Sequence, residues 1–425
     1  MQHDRSRGRS TLNRMTPSRT APAARPKGPA RDRRRPRIAL AFAGGGPLGA
    51  IYEIGTLCAL ADALKGLDFN GCDHYVGVSA GGFIAAGLAN GITPRQLCDA
   101  FIEDRLGDDH FDPASLMKPA WHELGDRARR VPGLLGGALW AWMAQGKSLT
   151  NAFERMGAAL PTGVFDNEGI HEQVQRLFDK PGRSNDFRRL RARLTLVATE
   201  LDTGEAAPFG RPGWDHVPIS RAIQASAALP GLFPPVEIEG KHYVDGALKK
   251  TVHATVALDE GVDLLICLNP LVPFHADPRA SRPTRIPSLV EGGLPAVMSQ
   301  TFRSMIHSRL ALGFKHYERA YPDTDIVLIE PDQRDAELFF ANTFSYRQRR
   351  ELAEHAYRQT LRLLRQRASA LAPRLQRHGV TLDMDVIHDR QRRLLAPLRP
   401  RRPAALDRLH ATLDTLQHRL QSQRA

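Results

Sequence analysis

Five residues, Gly77-Val78-Ser79-Ala80-Gly81, have the pattern that acyl-transfer chemistry asks of a nucleophilic serine. A serine hydroxyl is a weak nucleophile unless the backbone presents it on a sharp strand-to-helix turn with an activating group nearby. The apolar run His74–Val78 and the small-residue stretch Ala80–Asn90 flank this serine, which predicts such a turn. Gly77 and Gly81, two positions before and after it, let neighbouring backbone approach closely. The N-terminus of the following helix favours developing negative charge. A tight turn with an incidental serine fits the same letters, because Gly, Ser and Ala are common residues.

Gly44-Gly45-Gly46-Pro47-Leu48-Gly49 also lies between an apolar run and a helical stretch. Consecutive glycines expose a row of backbone N–H groups that can bind an anion, either a phosphate or the oxyanion of an acyl-transfer intermediate. The phosphate reading lacks its partners. There is no G-x-x-x-x-G-K-[ST], and no acidic residue stands clearly at a strand end about 20 residues on, as a dinucleotide site requires. Gly44–Gly46 precede Ser79 by 33–35 residues, one βαβ step. Loops one step apart in a parallel sheet emerge at the same edge. An oxyanion loop beside a nucleophile accounts for both motifs.

The third candidate is Asp245-Gly246-Ala247, after the apolar pair Tyr243-Val244. A carboxylate at a strand end could act as base for the serine, although Asp-Gly alone is an ordinary turn. The chain also has 16 His, and His242 and His253 flank Asp245. A Ser–Asp–His order would be met by His253 or later residues, but solvated or structural histidines are the commoner outcome.

These residues need a scaffold that brings three loops to one edge. Short apolar runs at Ile38–Ala43, His74–Val78, Leu194–Thr199, Leu264–Leu268 and Ile326–Ile329 read as strands buried on both faces. Helical stretches at Leu48–Leu64, Ala80–Asn90 and Arg221–Ala228 lie between them. The alternation predicts an α/β fold with a mainly parallel central sheet. Residues 95–192, with Trp121, Trp140 and Trp142, break the rhythm and read as a helical insertion or cap. The expected organisation is a disordered basic tail at 1–36, a catalytic domain at 37–344 and a basic helical extension at 345–425. In that extension Leu406, Leu409, Leu413, Leu416 and Leu420 form a short a/d seam, more often a helix docked on its own domain than a coiled coil.

Composition narrows the function classes. The 425 residues are 42% hydrophobic and 25% charged, ordinary for a globular protein, and allow two or three domains. The net +13 is unevenly placed. Residues 1–37 carry 12 Lys and Arg against 2 acids, residues 345–425 carry 18 against 7, and residues 38–344 carry 29 against 37. An acidic body argues against a nucleic-acid-binding core, so no nucleic-acid partner is expected, although the basic ends keep that class open. Cys58, Cys72, Cys98 and Cys267 show no metal-ligand spacing and read as reduced thiols of a cytoplasmic protein. No run of apolar residues is long enough to span a membrane. Arg33–Arg35 before Ile38–Ala43 imitate a twin-arginine export signal, but a six-residue run ending in three glycines suits a buried strand. An Arg-rich, acid-poor leader also suits an organelle transit peptide.

Together the three motifs resemble the patatin-like phospholipases, in order and spacing, over roughly residues 38–270. Ala225-Ser226-Ala227-Ala228-Leu229-Pro230, Phe233-Pro234-Pro235-Val236 and Val197–Gly204 are similar to further segments of that family. The resemblance implies a three-layer α/β fold in which Ser79 is the nucleophile and Asp245 its partner in a Ser–Asp dyad. Gly44, Gly45 and Gly46 would line the oxyanion hole, with Gly49, Gly77, Gly81 and Gly246 supporting the motifs. Three positions depart from the family pattern: Leu48 replaces an Arg or Lys, Ala247 replaces a second glycine, and Lys250–His253 replace an Asn-x-Pro. The implied activity is hydrolysis of a lipid acyl ester, with no metal or organic cofactor. Transacylase or thioesterase chemistry on the same serine, and a non-catalytic lipid-binding module, are the alternatives. A lipid substrate implies a surface. The segment 131–146, with Trp140 and Trp142 between basic flanks, and the basic tails are candidates for peripheral membrane contact; a cap helix packed on the core fits 131–146 as well.

Overall fold

The computed structural model describes residues 35–103, 162–275, 289–339 and 346–396. The segment 131–146, the N-terminal tail before residue 35 and the leucine seam at 406–420 lie outside these residues.

The apolar runs form the expected strands. They are β1 (Ile38–Phe42), β3 (His74–Gly77), β4 (Arg193–Glu200), β8 (Leu264–Leu268) and β9 (Asp325–Ile329), all parallel. Three further strands that apolar content did not reveal pair antiparallel with their neighbours at one side: β5 (Ala206–Phe209), β6 (Val236–Ile238) and β7 (Lys241–Asp245). Hydrogen-bonded neighbours follow the order β6-β7-β4-β3-β1-β8-β9, with β5 also on β4. A two-residue strand β2 (Leu64–Lys65) pairs separately with β10 (Thr381–Leu382).

Helices cover both faces. Leu40, Phe42, Tyr75, Leu194 and Leu196 point to one side, and Ala39, Ala41, Val76, Val197 and Leu265 to the other, the alternation that a pleated strand imposes. The first layer holds α1 (Gly46–Ala63), α2 (Ala80–Ala89), α3 (Pro94–Phe101), α4 (Glu168–Phe178) and α5 (Ile219–Ser226). The second holds α6 (Gly293–Ala320) through Ile306, Leu310 and Tyr317. This is the three-layer arrangement anticipated from sequence. The expected C-terminal extension begins as α7 (Tyr346–Gln376), which packs along α1 and buries Leu352, Ala353, Ala356, Tyr357 and Leu361 in the first layer. The contact is close: a Cβ at Gly55 would stand 2.4 Å from the Ala353 carbonyl oxygen. Thr360 Oγ1 donates to Thr56 Oγ1 at 3.1 Å, and Tyr357 Oη to Asp62 Oδ2 at 2.6 Å.

Strand β4 decides where the loops meet. Its first half pairs with β3, and Ala198–Glu200 pair with β7. The Arg193 N–H donates to Asp73 O (3.1 Å) and the Leu201 N–H to His242 O (2.8 Å), while the Glu200 N–H donates to Glu205 O on the β5 side. N–H groups alternate edges along a strand. Arg193 and Leu201 are an even number of residues apart, so β3 and β7 lie end to end along one edge of β4. Their C-terminal ends face each other.

Candidate active site

Ser79 follows β3 and caps α2, with φ 54° and ψ −128°. A side chain rarely adopts that backbone, and a residue held there marks a strained turn of the nucleophile-elbow kind. Two close approaches hold it. A Cβ at Gly77 would lie 2.5 Å from Gly82 Cα, and one at Gly81 would lie 2.2 Å from Ala43 O.

Asp245 ends β7 opposite this turn. Ser79 is 6% exposed and Asp245 4%. The Ser79 side chain lies near enough to the Asp245 carboxylate to favour its charged form. Asp245 Oδ1 accepts the Ala247 N–H at 2.8 Å. Burial pushes the carboxyl up to about 6, against the lowering effects of the Ala247 N–H and the Ser79 side chain. Gly246 lets the chain turn tightly over β4: a Cβ there would stand 2.1 Å from Val197 O and 3.2 Å from Val78 Cγ1.

Phe42 pairs with Gly77, so the loops after β1 and β3 leave the sheet side by side, as their spacing anticipated. Gly44 lies against the serine, since a Cβ there would sit 2.9 Å from Ser79 Cβ and 3.4 Å from its Oγ. Gly45 and Gly46 have φ of 150° and 59° and lead into α1. Gly45 and Gly49 both pack on Pro270, each with its Cβ position 3.0 Å from Pro270 Cγ. The N–H groups of Gly44 and Gly45 donate to no acceptor among the described residues. Those of the first turn of α1 have no intrahelical partner by geometry. The loop therefore offers unpaired donors next to a buried hydroxyl.

Neither flanking histidine bridges the pair. His242 is exposed on β7. His253 is buried with φ 43°, and its Nε2 donates to Gly246 O at 3.1 Å. Burial lowers its pKa to about 4, so the ring is neutral and supports the Asp245-Gly246 turn from behind.

One residue of the site was missed. Ser226, at the end of α5, is fully buried. Its Oγ accepts the Ser79 N–H at 2.8 Å and donates to Val197 O at 2.6 Å. It fills the rung of the ladder left empty at Val197, where β3 and β7 both end. It also engages the amide of Ser79, which is therefore not free for an oxyanion. A polar residue inside the run Ala225–Ala228 was the available signal, but a serine among alanines reads first as helix.

Among the described residues, no group of three or more His, Cys, Asp or Glu could hold a metal ion. All four cysteines are buried and free. No helix there is long and apolar enough to cross a membrane.

The profile of the family described as patatin-like phospholipase matches residues 40–258, just over half of the chain. Among solved structures, VipD from Legionella pneumophila is similar at a TM-score of 0.37 and 16% identity, over 78% of this chain and 67% of that one. The type III effector protein ExoU is similar at 0.33 and 17%, over 78% and 53%. Full-length ExoU of Pseudomonas aeruginosa, in complex with full-length SpcU, is similar at 0.28 and 16%, over 68% and 53%. The present chain thus spans 53% of the ExoU chains that it matches.

Proposed function

The chain belongs to the patatin-like phospholipase family of lipid acyl hydrolases, and from that membership we propose that it cleaves a lipid carboxylic ester through an acyl-serine intermediate, with Ser79 as nucleophile and Asp245 as its base. The observation that carries this reading is the placing of a strained-turn serine beside a buried carboxylate where β3 and β7 meet, with neither flanking histidine between them. As Ser79 Oγ attacks the ester carbonyl, its proton passes to Asp245. The carbonyl oxygen becomes an oxyanion, which the N–H groups of Gly44–Gly46 and the N-terminus of α2 stabilise. The intermediate collapses, the leaving alcohol takes the proton from Asp245, and Ser79 is acylated. Water then attacks the acyl group, Asp245 takes its proton, and the fatty acid leaves as Ser79 regains its hydrogen.

Leu48 sets no charge beside the loop, so backbone donors and helix termini provide the positive potential there. Transfer of the acyl group to an alcohol or thiol would use the same intermediate. Product analysis with phospholipid substrate separates the two: free fatty acid supports hydrolysis, whereas acyl transfer to an added lysolipid in preference to water overturns it. Peripheral attachment of a cytoplasmic protein, through its basic tails and the segment 131–146, belongs to the same proposal.

The carboxyl of Asp245 gives a pH dependence with a definite sign. Only its ionised form accepts the serine proton. With its pKa at about 6, kcat/KM on a soluble short-chain ester is expected to fall about tenfold per unit below that pH and to level off above it. A profile flat down to about pH 4, the range of an ordinary carboxylate, would contradict a base whose pKa burial has raised.

Ser226→Ala leaves a buried N–H and a buried carbonyl unpaired and frees the elbow to shift. It is expected to lower stability by about 1–3 kcal/mol in urea unfolding. Turnover is expected to drop by about 10–100-fold, because a displacement of roughly 1 Å at the reacting atom is enough. Wild-type turnover in a folded Ser226→Ala protein would contradict this role.

A further inference from the structure

Helix α6 carries an apolar stripe on the face it does not pack. At about 100° per residue, Leu294, Met298, Met305 and Leu312 fall within an arc of about 40°, centred about 120° round the helix from the buried Ile306, Leu310 and Tyr317. They are 73%, 42%, 46% and 67% exposed, and Val290, in the turn before the helix, is 76% exposed. Single exposed apolar residues are normal on a protein surface; a row along one line is not. On that outward half of the helix the charged residues are Arg309, Lys315, His316 and Arg319, all basic and exposed. Glu318 lies on the other half.

The helix is tied to the candidate active site. Arg309 Nη1 donates to Leu248 O at 2.7 Å, three residues beyond Asp245, and Thr251 Oγ1 donates to Ile306 O at 3.3 Å. On the packed side, Arg303 Nη1 donates to Pro270 O and Val272 O, each at 3.4 Å, and Pro270 supports Gly45 and Gly49. The N-terminal half of α6 thus lies at the sheet edge where the three loops converge.

We infer that this outward face of α6 is the surface on which the protein rests on an anionic bilayer. The inference builds on the lipid substrate proposed above. Leucine and methionine side chains would enter the headgroup boundary, while the arginine, lysine and histidine flanks meet anionic headgroups, the chemistry of an interfacial amphipathic helix. The leucine seam at 406–420 has the spacing to cover such a stripe. Residues 397–425, however, carry six Arg against two Asp, the same sign as the flanks of the stripe. An anionic lipid surface has the opposite sign.

The test uses the full-length protein and two sets of vesicles, phosphatidylcholine alone and phosphatidylcholine with phosphatidylglycerol. Leu294→Gln, Met298→Gln, Met305→Gln and Leu312→Gln are combined in one variant, and Lys315→Gln and Arg319→Gln in a second. The first is expected to weaken co-sedimentation with both vesicle types by about tenfold or more. The second should lose the preference for the anionic vesicles, and added salt should reproduce that loss in the wild type. Circular dichroism and fluorophosphonate labelling report whether each variant is folded with an open site. Unchanged vesicle binding by a folded first variant, or no vesicle binding by the wild type, overturns the inference. So does a wild-type dimer that the first variant dissolves while vesicle binding persists. If binding follows the stripe but the wild type takes no label and cleaves no ester, the catalytic reading fails and the docking surface stands.

Discussion

Asp245→Asn is expected to lower kcat on a soluble ester by about 10³–10⁴-fold while making the folded protein more stable at alkaline pH. The loss follows from chemistry alone. The amide keeps the shape of the carboxylate and can still accept the Ala247 N–H, but it cannot take a proton from Ser79. The gain follows from burial. The folded carboxyl titrates at about 6, against an ordinary value of 3.8. A raised carboxyl pKa means that the folded state holds the proton more tightly. Its contribution is therefore most favourable below about pH 4 and is lost as pH rises through about 6, a difference near 3 kcal/mol at most. The asparagine has no proton to lose. The melting temperature of Asp245→Asn relative to wild type should thus rise between about pH 5 and pH 8. A variant that loses stability and activity together would indicate a structural carboxylate. His242→Asn and His253→Asn should cost far less turnover; a loss equal to that of Asp245→Asn would restore a triad.

Ser79→Ala is expected to abolish turnover, a fall on the order of 10⁵-fold or more, because no other hydroxyl occupies the elbow. The fold should survive. The substitution keeps the Cβ that Gly44 packs against, and the backbone N–H still reaches Ser226 Oγ. Residual esterase activity above about one part in 10³ in purified Ser79→Ala protein would place the nucleophile elsewhere.

Strands buried on both faces were plain in the sequence, because Ile38–Phe42, Leu264–Leu268 and their neighbours are apolar without interruption. The antiparallel flank was not. Strand β7 reads Lys-His-Tyr-Val-Asp, half exposed and half buried, and β6 has only three residues. That flank is what turns Asp245 back toward Ser79; the family resemblance pairs the two residues, but nothing in the sequence shows the end-to-end meeting of β3 and β7 that brings them together. The helical character of α7 was legible, but its packing partner was not. Its arginines set the expectation of a basic helical extension, and Leu352, Ala356, Leu361, Leu364 and Leu371 join the first-layer core as the helix packs along α1. Ser226 acts through its hydroxyl on two backbone groups from other segments, and such a contact leaves no trace in local sequence. The departure at Ala247 proves small in context: its N–H makes the hydrogen bond that holds Asp245, and its side chain is buried beside Gly44.

The most direct test of the Ser79–Asp245 assignment is to treat the full-length protein with a fluorophosphonate and locate the adduct by peptide mass spectrometry. One adduct is expected, on the peptide containing Ser79. It should be absent in Ser79→Ala and form more slowly in Asp245→Asn and in wild type below about pH 6, where the buried base is protonated. An adduct on any other serine, or labelling of Ser79 at the same rate with and without the Asp245 carboxylate, would contradict the assignment.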